Sequence, residues 1–449
     1  MSLSPLDNRL HQGLLGDPVI AALLGEEAEL AAMIRVESAL ATVQMRLGII
    51  PQEAGEALVK GLAGVTVRPE DLAGGIARDG VIAPAFLRAL RAQLSKEAGG
   101  WLHWGMTSQD LTDLALVLRL REIVQIVDRR LAALIRRLTE LAKAHRDTLC
   151  LARTRMQAAA PTLFGLKAAQ WMAPLIRHRE RLSEVRPRLL VVQIGGAAGN
   201  LSVFGDQALA VMDGLADELA LGRAEPWHKG RDRIIEFGQM LAMIAGSLGT
   251  IGGDLALLAQ GEVSEVGFAG AGGSSTLPQK QNPVLAEIVQ SLARYAGGEA
   301  GALHLAGLHL NERDGAAWTL EWLALPPLIA TTGAALLRAD EMLAALRVDA
   351  GRMQANIEAT RGLVLAEAAS FALAAHLPRH EATALVKKAV EATLGSDRSL
   401  LDHLAAMTEV PVDWAVVARA EAMVAPARAL LGRLIARAEA HLDTNLTAG

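Results

Sequence analysis

The stretch Gly272-Gly-Ser-Ser-Thr-Leu-Pro-Gln-Lys-Gln-Asn-Pro283 holds the greatest density of usable chemistry in the chain. Two adjacent hydroxyls, Ser274 and Ser275, precede one ammonium, Lys280, and one amide, Asn282. Lys280 and Asn282 can hold a carboxylate, and backbone N–H groups at a Gly-rich turn add donors. A serine in so electropositive a loop can give or take a proton. A surface loop of small residues has the same composition, so composition alone leaves both readings open. The Gly-x4-Gly-Lys-Ser/Thr spacing of a phosphate-binding P-loop is absent.

A second polar segment is His103-Trp-Gly-Met-Thr-Ser-Gln-Asp110. Thr107 or Ser108 can cap the helix that follows, and Asp110 suits the positive end of its dipole. Capping accounts for these three residues without catalysis. It leaves His103 unexplained, as either a hydrogen-bonded structural residue or a proton-transfer group. The other histidines are scattered, and Pro378 interrupts the one pair spaced four apart, His376 and His380. No zinc-protease pattern and no Gly-x-Ser-x-Gly elbow is present. No metal site is expected.

Long helices must position these segments. Leu120, Val124, Val127, Leu131, Leu134, Leu138 and Leu141 alternate spacings of four and three, a heptad seam. A second helix is expected from about Asp232 to Glu262, where Gly246, Gly249, Gly252 and Gly253 suggest close helix approach. A third starts after Pro283 and runs toward His309. Leu72 to Ile76, with two glycines, reads as a separator within an N-terminal region, Gly195 to Gly199 as a central interruption, and Ala269 to Asn282 as a mobile loop. Three units follow: 1–110, 111–350 and 351–449.

Composition agrees with helices. Of 449 residues 51% are hydrophobic but only 3% aromatic, which disfavours immunoglobulin-like sandwiches and small barrels. A net charge of −5 without a basic tract predicts no nucleic-acid partner. The lone Cys150 excludes an internal disulfide. Phe237 to Gly253 is uncharged yet Gly-interrupted, and reads as a buried helix and not a membrane span. The first ten residues lack a signal-peptide layout, so a cytoplasmic location is expected.

Gly273 to Pro283 resembles the signature of the fumarase/aspartase superfamily, usually Gly-Ser-Ser-x-Met-Pro-x-Lys-x-Asn-Pro. His103 to Asp110 matches a second superfamily region, and Ala152 to Pro161 matches a third more loosely. Thr107-Ser-Gln-Asp110, Pro226 to Arg233, Glu312 to Trp318 with Glu321-Trp322, and Ala359 to Glu367 resemble one branch, which lactonises 3-carboxy-cis,cis-muconate. Around Ala77 to Pro84 there is no counterpart of the Lys-His-Asp-Val segment of adenylosuccinate lyases. Most superfamily lyases carry His where Arg155 stands, paired with a glutamate whose place Glu287 fits. Leu277 replaces the usual Met, and Gln281 a frequent basic residue.

The resemblance implies an all-α fold, fumarase/aspartase-like, with a long central helical bundle and smaller N- and C-terminal helical domains. It implies a homotetramer whose active sites combine three subunits, a small-molecule polycarboxylate substrate, and no metal or organic cofactor. By resemblance Ser274 moves the proton, with Ser275 the competing assignment and His103 in support. Thr107, Ser108, Gln157, Lys280 and Asn282 would hold substrate carboxylates, joined by Arg313 and Arg155. A fumarate-releasing lyase and a helical scaffold without catalysis are the alternatives.

Overall fold

The computed structural model describes residues 4–6, 8–270, 272–273, 277, 279–419 and 423–442. The aliphatic patterning resolves into helices throughout. In the N-terminal region the longest is α1 (Glu26–Arg46), surrounded by shorter helices at 52–62, 69–79, 83–91 and 96–101. The Leu72–Ile76 separator is corrected here, because it lies inside the helix Pro69–Asp79. Pro69 opens that helix, Leu72 anchors it in the core, and left-handed Gly80 ends it. Gly75 permits the contact with the next helix, since a Cβ there would stand 2.6 Å from Ala85 Cβ.

The centre consists of five long helices. Thr107 caps α2 (Ser108–Ala144), as the sequence suggested. Its heptad positions from Leu120 to Leu138 are all buried, each such Leu or Val contributing roughly 1.5–3 kcal/mol of apolar transfer. A hairpin of β1 (Leu149–Thr154) and β2 (Gln157–Leu163) leads into α3 (Phe164–Leu189). A long connection with a helix at 208–219 follows, then α4 (Asp232–Leu258). Short strands β3 (Val266–Phe268), β4 (Gly272–Gly273) and β5 (Gln281–Asn282) precede α5 (Val284–Leu305). The last long helix, α6 (Gly315–Ala345), ends at β6 (Leu346–Val348), which pairs antiparallel with β3.

Side-chain pairs fix the directions. Trp171 bonds Asp254 and His178 bonds Ser247, so α3 descends as α4 rises. Gly249 abuts Ala293 and Gly252 abuts Ala286, so α4 and α5 are antiparallel, and a Cβ at either glycine would collide at 2.5 or 2.8 Å. Arg130 reaches the Gly333 carbonyl and Arg137 reaches Asp340 at one offset of 203 residues, so α2 and α6 run parallel. The bundle therefore runs up-down-up-down-up, with α2, α4 and α6 starting at one end. Both α4 and α6 are long and apolar enough to cross a membrane, but each packs against α5 within the bundle.

Beyond residue 350 the chain forms shorter helices with a small core of their own, including Leu373, Val386, Leu400 and Leu404. The final helix α7 (Ala425–Leu442) returns to α2 and α3, where His441 offers its carbonyl to Arg179. Cys150 is buried, and burial pushes its thiol up to about 12, leaving it unreactive.

His178 carries a testable cost. Desolvation, aided by Arg181 and Arg177, pushes its pKa down to about 4. The unfolded chain, with an ordinary histidine near 6.5, then binds more protons between those values. Stability is expected to fall as pH drops from about 6.5 toward 4. Denaturant midpoints at successive pH values check this, and His178→Gln should flatten the dependence.

Candidate active site

Where α2, α4 and α6 begin, Asp110 organises the surroundings. Its buried carboxylate accepts from the N–H groups of Thr107 (3.0 Å), Gly195 (2.9 Å) and Gly196 (2.9 Å), and from His228 Nε2 (2.6 Å). Asp110 thus does more than favour a helix dipole: it ties the helix start to the Gly195–Gly199 loop and to the Pro226-Trp-His228 segment. Gly195 leaves room for the imidazole, since a Cβ there would stand 2.7 Å from His228 Cε1.

Buried Gln109 continues the network. It donates to the His228 carbonyl (3.0 Å) and accepts from Arg313 Nε (3.1 Å). Arg313 Nη2 spans the carbonyls of Gly196 (3.4 Å) and Ala197 (3.3 Å), leaving Nη1 as its unengaged edge among the described residues. Beneath this layer Arg231 bonds both oxygens of Asp113 and of Glu321, and all three are buried. Burial opposes the charge on Arg231, but the carboxylates outweigh it and hold its pKa above the ordinary value. His103 adopts a left-handed backbone (φ 63) and meets buried Glu37 at 2.6 Å through Nδ1.

Beside this layer lies a cavity of about 320 Å³. Trp318 and Trp322, with ring centroids 4.7 Å apart, form one wall, and Val81 and Ile82 form part of another. Thr112, Asp113, Glu321 and Arg119 supply its polar edge.

The opposite end of the bundle carries the other matched segments. Arg155 and Met156 form the two-residue turn of the β1–β2 hairpin, both with left-handed φ (50 and 66) that such turns normally give to Asn and Gly. Arg155 and Gln157 are exposed at this tip. The Gly-rich segment closes on itself as a ribbon, with Gly272 opposite Asn282 and Gly273 opposite Gln281. Lys280 is exposed on the turn of that ribbon and Asn282 is half-buried at its base. Ser274 and Ser275 lie outside the described residues. Glu265, just before β3, ties the hairpin to the helix at 350–358: it pairs with Arg153 (2.6 Å) and accepts from Asn356. Glu287 sits exposed in the first turn of α5.

One chain therefore brings together His103, Thr107, Ser108 and Arg313 at one end, and Arg155, Gln157, Lys280 and Asn282 at the other. The helices between are 22 (α5) to 37 (α2) residues long, about 33–55 Å at 1.5 Å per residue. A small acid cannot bridge that span. Each end presents cationic and hydrogen-bonding groups suited to carboxylates. No group of three or more His, Cys, Asp and Glu among the described residues is arranged to hold a metal.

Sequence reasoning missed Glu37 altogether and did not see the roles of His228, Arg231, Asp113 and Glu321. Arg231 and His228 fall in the Pro226–Arg233 block and Glu321 in the Glu-Trp pair, so their signal was visible as motif but not as partnership.

The chain matches a lyase family model over residues 25–298. A 3-carboxy-cis,cis-muconate cycloisomerase of Pseudomonas aeruginosa is 40% identical, covering 88% of this chain and 87% of that one. Trans-aconitate decarboxylase 1 of Mycosarcoma maydis is 34% identical over 87% of this chain and 80% of its own. The crystal structure of a 3-carboxy-cis,cis-muconate lactonizing enzyme from Pseudomonas putida superposes with TM-score 0.90 at 33% identity, covering 97% of this chain and all of that one.

Proposed function

The chain belongs to the lyase family of the fumarase/aspartase superfamily, and on that premise we propose that it interconverts 3-carboxy-cis,cis-muconate and a carboxymuconolactone, a step of aromatic-ring catabolism. The observation that carries this reading is the full-length likeness, in sequence and in fold, to enzymes named for that substrate.

In the lactonising direction one substrate carboxylate adds to the alkene. A C–O bond forms, the π bond breaks, and its electron pair moves onto the carbon beside another carboxylate. That carbanion, delocalised into its carboxylate, is the species to stabilise, and preorganised donors do so best. Thr107 and Ser108, with the open edge of Arg313, supply donors from one bundle end; Lys280 and Asn282 supply them from the other. Ser274 then delivers the proton to carbon. The nucleophile belongs to the substrate, so no base is needed to activate water, which suits Arg155 where other members carry His. Arg155 and Gln157, exposed on the hairpin tip, would hold a remaining carboxylate of a neighbouring copy's substrate.

The assembly is proposed as a homotetramer. Apolar side chains remain exposed along the bundle, including Met243 and Leu257 on α4, Tyr295 and Leu305 on α5, and Leu323 on α6. Gly246, Gly297, Gly298 and Gly301 have open space where a Cβ would sit, which lets neighbouring helices approach closely. Copies packed with bundles reversed bring one chain's starting end to another's hairpin and ribbon.

Elimination from a substituted succinate is the second reading, favoured by the match to a lyase family model. A nucleotide adduct fits less well, because Val81 and Ile82 present apolar groups to the cavity.

Purified protein offered 3-carboxy-cis,cis-muconate, trans-aconitate, adenylosuccinate and argininosuccinate, with ultraviolet absorbance followed, separates these readings. Rapid loss of the muconate alone is expected, and turnover of only the other acids would sink the cycloisomerase assignment. Ser274→Ala should slow the chemical step by about 10²- to 10⁴-fold with the assembly intact. Near-normal turnover would move the proton transfer to Ser275.

A further inference from the structure

Glu37 is buried on α1, seven residues before Gln44, in a face otherwise made of Leu30, Met33, Val36, Leu40 and Val43. That spacing puts the two polar side chains on one stripe, two turns apart. Gln44 Nε2 donates to the Trp104 carbonyl (2.7 Å), and Glu37 Oε1 meets His103 Nδ1 at 2.6 Å, so α1 grips consecutive residues of one turn. The turn belongs to the Asp110 cluster, because the Gly105 carbonyl lies against Gly196, which Asp110 and Arg313 both bind.

Three costs converge at this contact. A carboxylate is removed from water, its second oxygen Oε2 is buried without a partner among the described residues, and His103 is held at positive φ. An apolar residue at position 37 would complete the α1 stripe more cheaply, so packing alone does not account for Glu37. Holding one histidine in one orientation does. The His103 side chain keeps 12% of its exposure, and Nε2 has no hydrogen-bond partner among the described residues.

We propose that Glu37 is a positioning residue: it accepts the Nδ1 proton of His103, fixes that tautomer, and presents Nε2 to the active site as a proton-accepting nitrogen. The tautomer of an imidazole is set by the bond its other nitrogen makes. This inference rests on the lyase reading of the same site, through the chemistry that His103 serves.

Glu37→Gln, Glu37→Asp, His103→Ala and the double variant Glu37→Gln/His103→Ala would be assayed on whichever acid the wild type turns over. Glu37→Gln should lower kcat by about 10- to 100-fold, as outer carboxylates behind a working histidine do, with KM within about twofold. Glu37→Asp should recover part of the loss. The double variant should be no slower than His103→Ala alone, since Glu37 acts through His103. A wild-type kcat in Glu37→Gln, or a double variant far slower than His103→Ala, would overturn the proposal. Nitrogen-15 histidine spectra of substrate-free protein, assigned with His103→Ala, read the tautomer independently of any substrate. Nδ1 protonation is expected in the wild type and a shift toward Nε2 protonation in the Glu37 variants; Nε2 protonation in the wild type rejects the proposal. If none of the acids is turned over the cycloisomerase reading falls, and the spectra still decide the role of Glu37.

Discussion

Mixing two inactive variants, Arg313→Ala and Lys280→Ala, is expected to restore activity that neither has alone. Lys280 precedes α5 and Arg313 follows it, with 22 helical residues between, about 33 Å at 1.5 Å per residue. A substrate that uses both must take them from different copies. In an equal random mixture, half the copies offering an intact Arg313 meet half offering an intact Lys280, so about a quarter of sites are complete. Subunits dissociated in mild denaturant and reassembled together should recover about a quarter of wild-type turnover, and separately reassembled controls almost none. Native mass spectrometry with one variant isotope-labelled confirms that mixed assemblies have formed. No recovery in assemblies shown to be mixed would mean that one chain supplies both residues.

The separation of these candidate groups explains how much was legible in the sequence. The heptad seam of α2 was readable because its positions repeat on one helix and ask only to be buried. The third helix begins after Pro283, a residue suited to a helix start, and the glycines of α4 that meet α5, Gly249 and Gly252, show the close approach their low helix propensity suggested. The Leu72–Ile76 stretch misled because two glycines look alike whether they break a helix or let it touch a neighbour. The segment around Arg155 proved a hairpin, and its turn residues carry none of the usual Asn-Gly signal.

The site itself was half legible. Local motifs named the candidates Thr107, Lys280, Asn282 and Arg313 because polar side chains there sit close together in sequence. They did not reveal partners distant along the chain: His103 with Glu37 is a pairing 66 residues apart, and Asp110 with His228 is 118 apart. Such contacts are set by how helices stack, which no local pattern encodes. The placement of matched motifs at opposite ends followed only once side-chain pairs had fixed the helix directions.

Arg231→Met is expected to be the most destabilising single substitution in the bundle. Arg231 lies where the starts of three parallel helices meet, bonded to Asp113 at 2.7 and 3.0 Å and to Glu321 at 2.8 and 2.6 Å. Its guanidinium also stands 4.7 Å over the Trp227 ring. Removing one partner of a buried pair costs about 3–5 kcal/mol, because the charge left behind has neither water nor counterion. Here two carboxylates would be stranded. Denaturant unfolding should show a large fall in midpoint at neutral pH. The deficit should shrink as pH is lowered, since burial already holds the Asp113 carboxyl above its ordinary pKa and Arg231 is what opposes this, so the folded variant takes up a proton the unfolded chain does not. Arg231→Met combined with Asp113→Leu and Glu321→Leu should recover much of the stability, as an apolar replacement leaves no stranded charge. If the single variant were as stable as the wild type, the three helix starts would be held by apolar packing and the triad would serve only to orient Gln109, Arg313 and the cavity edge. Recovered stability without recovered turnover in the triple variant would assign the triad both roles, since the Asp113 and Glu321 side chains at that edge would be gone while the bundle stood.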